Sequence, residues 1–185
     1  MAEIAQGDRR AFRALVERHV GRAQGLAYRV LGNRSDAEEL AQEAFLRVWT
    51  VAPRWRLDGG ASFRTWFSRV VVNLCIDRKR RRRTEPLEAA GDPVDPAPPA
   101  DRLVAESEET ATVAAAVAEL PERQRIALSL CYWQGLSNAE AAETMGLSVG
   151  AIESLLVRAR RTLKDKLGPA LGPGKTENGT PGAER

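Results

Sequence analysis

One histidine, His19, and two cysteines, Cys75 and Cys131, are the only imidazole and thiol groups in a chain of 185 residues. That supply is too thin for a His-rich metal centre or a Ser-His-Asp triad. The cysteines lie far apart in sequence, which excludes a disulfide framework and a CxxC zinc site. Long apolar runs are missing too, and nothing approaches the roughly 20 residues that a membrane span requires. No charged-then-apolar signal peptide opens the sequence, so the expectation is a soluble cytoplasmic protein without direct membrane insertion. Walker loops, GxSxG elbows and carboxylate–histidine clusters are also lacking. No catalytic residue, metal, cofactor or small-molecule substrate is therefore expected.

What is present is enough for a folded protein, with 43% hydrophobic and 29% charged residues. The formal net charge of +3 hides a strong segregation. Arg78, Lys79, Arg80, Arg81, Arg82 and Arg83 form an unbroken basic run. A second basic group, Arg158, Arg160, Arg161, Lys164 and Lys166, closes the last helical segment. Between them, residues 85–109 hold eight acidic side chains and one basic one, Arg102. The pattern suggests two anion-binding surfaces joined by an acidic tether. Each run also suits a solvated helix end, where cations favour the macrodipole, so charge alone leaves both readings open.

Five of the ten prolines fall within residues 84–100, in a stretch with almost no large apolar side chain. Proline removes donors and breaks helices, so residues 84–108 read as a flexible linker. On this division an N-terminal helical domain covers residues 1–83 and a C-terminal one residues 109–167. Residues 168–185, rich in Gly and Pro, read as a disordered tail. Outside these segments the periodicity is helical. Phe12, Leu15, Val16, Val20, Ala23, Leu26, Ala27, Val30 and Leu31 recur at three- and four-residue steps. Ser35 is the expected cap of a second helix, with Glu38 completing a capping box. Its apolar face is Ala37, Leu40, Ala41, Ala44, Phe45, Val48 and Trp49. After a turn over residues 53–62, Phe63, Phe67, Val70, Val71 and Leu74 line a third helix that runs into the basic cluster. The class is all-α.

The C-terminal region carries the more specific signal. Ser137 with Glu140 makes a capping box, Gly146 supplies a turn, and Ser148 caps a helix that buries Ile152, Leu155, Leu156, Ala159 and Leu163. That helix leaves Gly150, Ala151, Glu153, Ser154, Val157, Arg158 and Arg161 outward. Small residues early and arginines late form a helix-turn-helix pattern, able to enter a major groove and pair with phosphates or guanine edges. An ordinary pair of packed helices is the alternative. In the N-terminal region the second helix presents Asp36, Glu39, Glu43 and Arg47 opposite its apolar stripe, flanked by Gln42. On the third helix Trp66, Arg69, Asn73 and Arg80 share a stripe, preceded by Trp55, Arg56 and Phe63. Aromatics interleaved with arginines suit single-stranded nucleic acid, where bases stack and cations hold the backbone. His19 reads as a core-edge residue, and the cysteines as small apolar residues within helices.

Three blocks, DAEELAQEAFLRVW (residues 36–49), FRTWFSRVVVNLCIDRKRRRR (63–83) and LPERQRIALSLCYWQGLSNAEAAETMGLSVGAIESLLVRARRTLKDKL (120–167), closely resemble bacterial extracytoplasmic-function (ECF) sigma factors. Taken alone, the last block also resembles response-regulator helix-turn-helix domains. The resemblance implies an initiation factor that binds RNA polymerase core and directs it to promoters. It places Asp36, Glu39, Gln42 and Glu43 against the clamp helices of the largest polymerase subunit, and it implies contact with the flap of the second-largest. It assigns Trp55, Arg56, Phe63, Trp66, Arg69, Asn73 and Arg80 to opening and holding the minus-ten element. It assigns Ser148, Ala151, Glu153, Ser154, Val157, Arg158 and Arg161 to the minus-thirty-five element. Glu153 departs from the pattern, since many relatives carry a basic residue there. The resemblance also implies silencing by an anti-sigma factor, which could hold the protein at the inner membrane. A dimeric helix-turn-helix repressor and a sigma-like adaptor that recognises no promoter are the alternatives from other classes.

Overall fold

The structure is a computed structural model that describes residues 1–55, 62–84 and 108–171. Among the described residues all regular structure is helical, and no helix is long and apolar enough to cross a membrane. The proline-rich segment and the Gly-Pro tail fall outside these residues, apart from the helix ends that run into them.

Helix α1 (Ala2–Ala5) is too short for periodicity to reveal, yet it buries Ile4 and packs on the 3-10 turn Ala52–Arg54. Asp8 starts α2 (Arg9–Leu31), its carboxylate accepting from the backbone N–H groups of Arg10 at 2.7 Å and Ala11 at 3.1 Å. Gly32, with φ 74°, ends that helix in the left-handed conformation that favours glycine. Only Asn33 then stands extended before α3 (Arg34–Val51). The cap is therefore Asn33, whose side chain accepts from the Asp36 N–H at 2.9 Å, and not Ser35 as expected. Glu38 correspondingly makes no capping box, and it pairs with Arg34 at 2.9 Å. Ser62 caps α4 (Phe63–Thr84) through the Thr65 N–H at 3.1 Å.

α2, α3 and α4 bury Leu26, Val30, Leu40, Val48, Val71 and Cys75 almost completely. Each such aliphatic side chain contributes about 1.5–3 kcal/mol relative to leaving it in water. The C-terminal half comprises α5 (Glu108–Ala118), α6 (Glu122–Leu128), α7 (Asn138–Met145) and α8 (Val149–Leu171). α6 runs straight into a π-helical turn, Ser129–Trp133. Leu130, Ile152 and Ala159 are fully buried where α8 meets the rest of this domain. The two domains also touch each other. One contiguous core holds Leu26 and Val30 of α2 together with Leu130 and Leu136 of the C-terminal half. Sequence patterning gave no sign of that contact.

Candidate polymerase and nucleic-acid interfaces

The helix-turn-helix forms as its capping residues require. Ser137 Oγ accepts from the Glu140 N–H at 3.2 Å, and Glu140 Oε2 accepts from the Ser137 N–H at 2.9 Å. Gly146 turns the chain with φ 64°, and the Leu147 N–H donates back to the Ala142 carbonyl at 3.0 Å. Ser148 then caps α8 through the Ala151 N–H at 3.2 Å. Ile152, Leu156 and Ala159 face the core, while Gly150, Glu153, Ser154, Val157, Arg158 and Arg161 are exposed and Ala151 is half-buried. Val157 is 57% exposed, an apolar side chain standing among polar ones. Ser154 Oγ donates to the Gly150 carbonyl at 2.9 Å and Arg158 Nε to the Ser154 carbonyl at 3.3 Å, so both are braced along the helix. A Cβ added at Gly150 would meet nothing within 4 Å, so internal packing does not demand glycine there. In the first helix of the pair, Ala139 is exposed, and the buried positions are Ala141, Ala142 and Thr144.

At the start of α4 the aromatic side chains pack against one another, some edge to face and some stacked. Trp55 meets Trp66 at 4.9 Å between ring centroids, and Phe63 stacks on Phe67 at 5.4 Å. His19 abuts Phe63 at 5.2 Å, and burial followed by the charges of Arg22 and Arg18 holds its pKa below the ordinary value. Trp55, Phe63 and Trp66 remain half-buried, so the cluster is both core edge and surface. Arg69, Asn73 and Arg80 are exposed along the same helix, with Arg80 also paired to Asp77 at 3.2 Å. Arg56 lies outside the described residues.

The basic run does not present a uniform cationic surface. Arg78 contacts Asp36 at 3.1 Å and Glu39 at 3.0 Å. Arg82 lies 2.5 Å from Asp36 Oδ2 as an ion pair without hydrogen-bond alignment. Lys79 reaches Glu122 of α6 at 3.2 Å. Asp36, with a side chain only 8% exposed, therefore ties α3 to α4 and cannot join an outward ledge. The ledge that remains is Glu39, Gln42 and Glu43, continued by Leu46 at 65% exposure. The Glu39 carboxyl is held below its usual range by the hydrogen bond from Arg78, whose own pKa rises through the same bond. Glu43 pairs with Arg47 at 2.9 Å. Sequence reasoning passed over Leu46, whose signal is an apolar residue one turn beyond Gln42 and Glu43. Trp49, assigned to the core face, is 36% exposed and sits edge-on to Phe12 at 5.0 Å.

An acidic-apolar ledge, an aromatic-cationic helix start and a helix-turn-helix, divided between two helical domains, define a protein of transcription. Residues 15–85 match the Sigma-70 region 2 family and residues 111–163 the Sigma-70, region 4 family. SigM of Mycobacterium tuberculosis, an ECF RNA polymerase sigma factor, is 36% identical over 91% of this chain and 83% of its own length. SigW of Bacillus subtilis is 30% identical over 89% of this chain and 93% of its own. SigE of Mycolicibacterium smegmatis is 35% identical, and the match spans 65% of that longer protein. CnrH, solved with the cytosolic domain of CnrY, superposes with a TM-score of 0.65 at 28% identity, covering 91% of this chain and 95% of CnrH. The sigma factor RpoE solved with the anti-sigma factor NepR from Bartonella quintana shares the fold, with a TM-score of 0.72 at 22% identity over 86% of this chain and 98% of that one. The chain belongs to the extracytoplasmic-function sigma factors.

Proposed function

We propose that this chain binds RNA polymerase core, brings it to a specific class of promoters, and is silenced by an anti-sigma factor until a signal frees it. The carrying observation is that one chain bears an aromatic-cationic helix start on α4 and a helix-turn-helix ending in α8, beside an acidic-apolar ledge on α3. A repressor needs only the helix-turn-helix, and the ledge would then have no use. Glu39, Gln42, Glu43 and Leu46 suit a basic partner helix with an apolar stripe, which is the chemistry of a polymerase clamp contact. Trp55, Phe63 and Trp66 supply faces on which unpaired minus-ten bases can stack, while Arg69, Asn73 and Arg80 hold the strand. On α8, Ser148 and Ala151 bring the helix start close to the groove. Ser154, Arg158 and Arg161 reach bases or phosphates, Val157 packs on a thymine methyl, and Glu153 accepts from a cytosine amino group.

Anti-sigma control draws support from CnrH, whose structure contains the cytosolic domain of CnrY. A membrane-held partner of that kind would keep the protein on the cytoplasmic side, where polymerase and DNA are. The proposal assigns no catalytic residue. Run-off transcription with purified core tests it directly, since a promoter-specific transcript is expected only when both proteins are present. Tight, sequence-specific binding by a free dimer would instead establish a repressor. A single helix-turn-helix offers only about 600–1,000 Å² of interface, so the free chain should bind promoter DNA weakly.

A further inference from the structure

Arg69, Asn73, Ile76 and Arg80 follow one another along α4 at steps of four, three and four residues, so their side chains stand in one line on the helix. All four are exposed. Neither Arg69 nor Asn73 has a side-chain partner among the described residues. Ile76 is 44% exposed, although Val72, Leu74 and Cys75 around it are buried. A lone apolar side chain on a protein surface is ordinary and by itself calls for no explanation. The company that Ile76 keeps does call for one.

The last helix repeats the arrangement. On α8 the exposed Val157 follows Ser154 by three residues and precedes Arg161 by four, just as Ile76 follows Asn73 and precedes Arg80 on α4. Each helix thus sets a branched apolar side chain between a hydrogen-bonding residue one turn back and an arginine one turn on. A thymine nucleotide offers the matching groups, a polar base edge, an aliphatic methyl and a phosphate. Of the four DNA bases only thymine carries that methyl. A protein partner accounts for Ile76 less well. The basic helix that suits Glu39 and Glu43 would be repelled by Arg69 and Arg80 on either side of it. Nor is Ile76 an extension of the aromatic cluster, since it lies about 15 Å beyond Trp66 along the helix axis.

We propose that Ile76 selects thymine at one position of the melted strand by packing on its 5-methyl group, while Asn73 meets the base edge and Arg80 the adjoining phosphate. The proposal rests on the reading of α4 as the surface that holds unpaired minus-ten bases. It adds a base preference that stacking does not supply, because aromatic faces accept any base. Covering one methyl-sized group is worth about three- to fourfold in affinity, and that sets the size of the preference.

The test titrates the full chain, alone and with core, against two single-stranded probes of equal length, oligothymidylate and oligodeoxyuridylate. The probes differ only in their 5-methyl groups, and fluorescence anisotropy reads both affinities. The wild type should favour thymidylate. Ile76→Ala should shrink that preference by about three- to fourfold, and Ile76→Val, which keeps the branch, should retain most of it. Each variant is compared with itself on two probes, so a partial loss of folding or of charge attraction cancels from the ratio. A preference equal in the wild type and Ile76→Ala, with both probes still bound, overturns the methyl contact and leaves α4 as a strand-binding helix. An unchanged ratio together with weakened binding to core overturns it as well, and moves Ile76 to the polymerase interface. If the wild type binds neither probe and yields no promoter-specific transcript, the sigma-factor reading of α4 falls and the contact falls with it.

Discussion

Asp36 separates a bracing role from a binding role. Its carboxylate is 8% exposed and faces Arg78 and Arg82, whose side chains are 23% and 45% exposed. Truncating one member of a fully buried ion pair costs about 3–5 kcal/mol, because a desolvated charge is left alone. Here water reaches both guanidinium groups and Arg78 keeps Glu39, so solvent recovers a good part of that loss. The Asn33 cap on the Asp36 backbone is untouched by a side-chain change. Asp36→Ala should therefore destabilise the chain by about 1.5–3 kcal/mol, which lowers the melting temperature by roughly 3–12 °C. Circular dichroism measures the melt, and fluorescence anisotropy at 10 °C, where the variant remains folded, measures binding to core. Near-normal core affinity with a lowered melting temperature is the expected result. An unchanged melt with abolished core binding would return Asp36 to the polymerase interface and refute the bracing argument. Glu39→Gln is the complementary probe, since it keeps an acceptor for Arg78 but removes the outward charge. Glu39→Lys would set two cations side by side and confuse the two effects.

Three further outcomes are expected. His19 binds its proton less readily folded than unfolded, so stability should fall as pH drops through 6.5 and level off below the depressed folded value, and His19→Gln should erase that segment of a urea-melt series. Glu39 and Glu140 lose their contribution only at lower pH, as pH falls below 4.5 through their folded values, which keeps the two windows apart. Cys75 is fully buried, with its thiol pushed up to about 12, whereas Cys131 is half-buried; a thiol reagent should label one cysteine per native chain and two in urea. Arg158→Ala should cost about 1–3 kcal/mol with relaxed preference at one promoter position if it reads a guanine, and a uniform loss with a shallower salt slope would assign it to phosphate; unchanged transcription would remove it from the DNA face.

Local signals survived into the structure where local forces decide it. The Ser137–Glu140 capping box, the Gly146 turn and the exposed face of α8 depend on residues within one or two turns of each other, and all were legible. The cap of α3 was misplaced by two residues because the left-handed Gly32 fixes where the chain turns extended, and a cap motif at Ser35 carries no trace of that. Asp36 was misread for a different reason. Helical periodicity places it on the polar side of α3, but whether that side meets solvent or the end of α4 depends on how the helices cross. Leu46 shows the converse, an apolar residue that propensity would bury and packing leaves exposed. The seam between domains was invisible for the same reason. Gln134, Thr65 and Arg125 read as ordinary polar residues until the fold brings backbone carbonyls and carboxylates 75 to 112 positions away within reach.

The inward pairing of the basic run bears on how a chain with so many arginines avoids binding DNA indiscriminately. Non-specific affinity scales with the number of cations free to displace counterions from phosphate. Arg78, Lys79 and Arg82 already have carboxylates as partners, so engaging phosphate exchanges one anion for another, with little net gain per pair. Asp36 holds its two partners within one domain, a fixed subtraction from the basic surface. Glu122 and Glu140 add to it from the C-terminal domain, through Lys79 at 3.2 Å and Arg64 at 3.8 Å. Each exposed pair is worth only about 0.2–1 kcal/mol, so the subtraction is graded, and it weakens as salt screens the pairs.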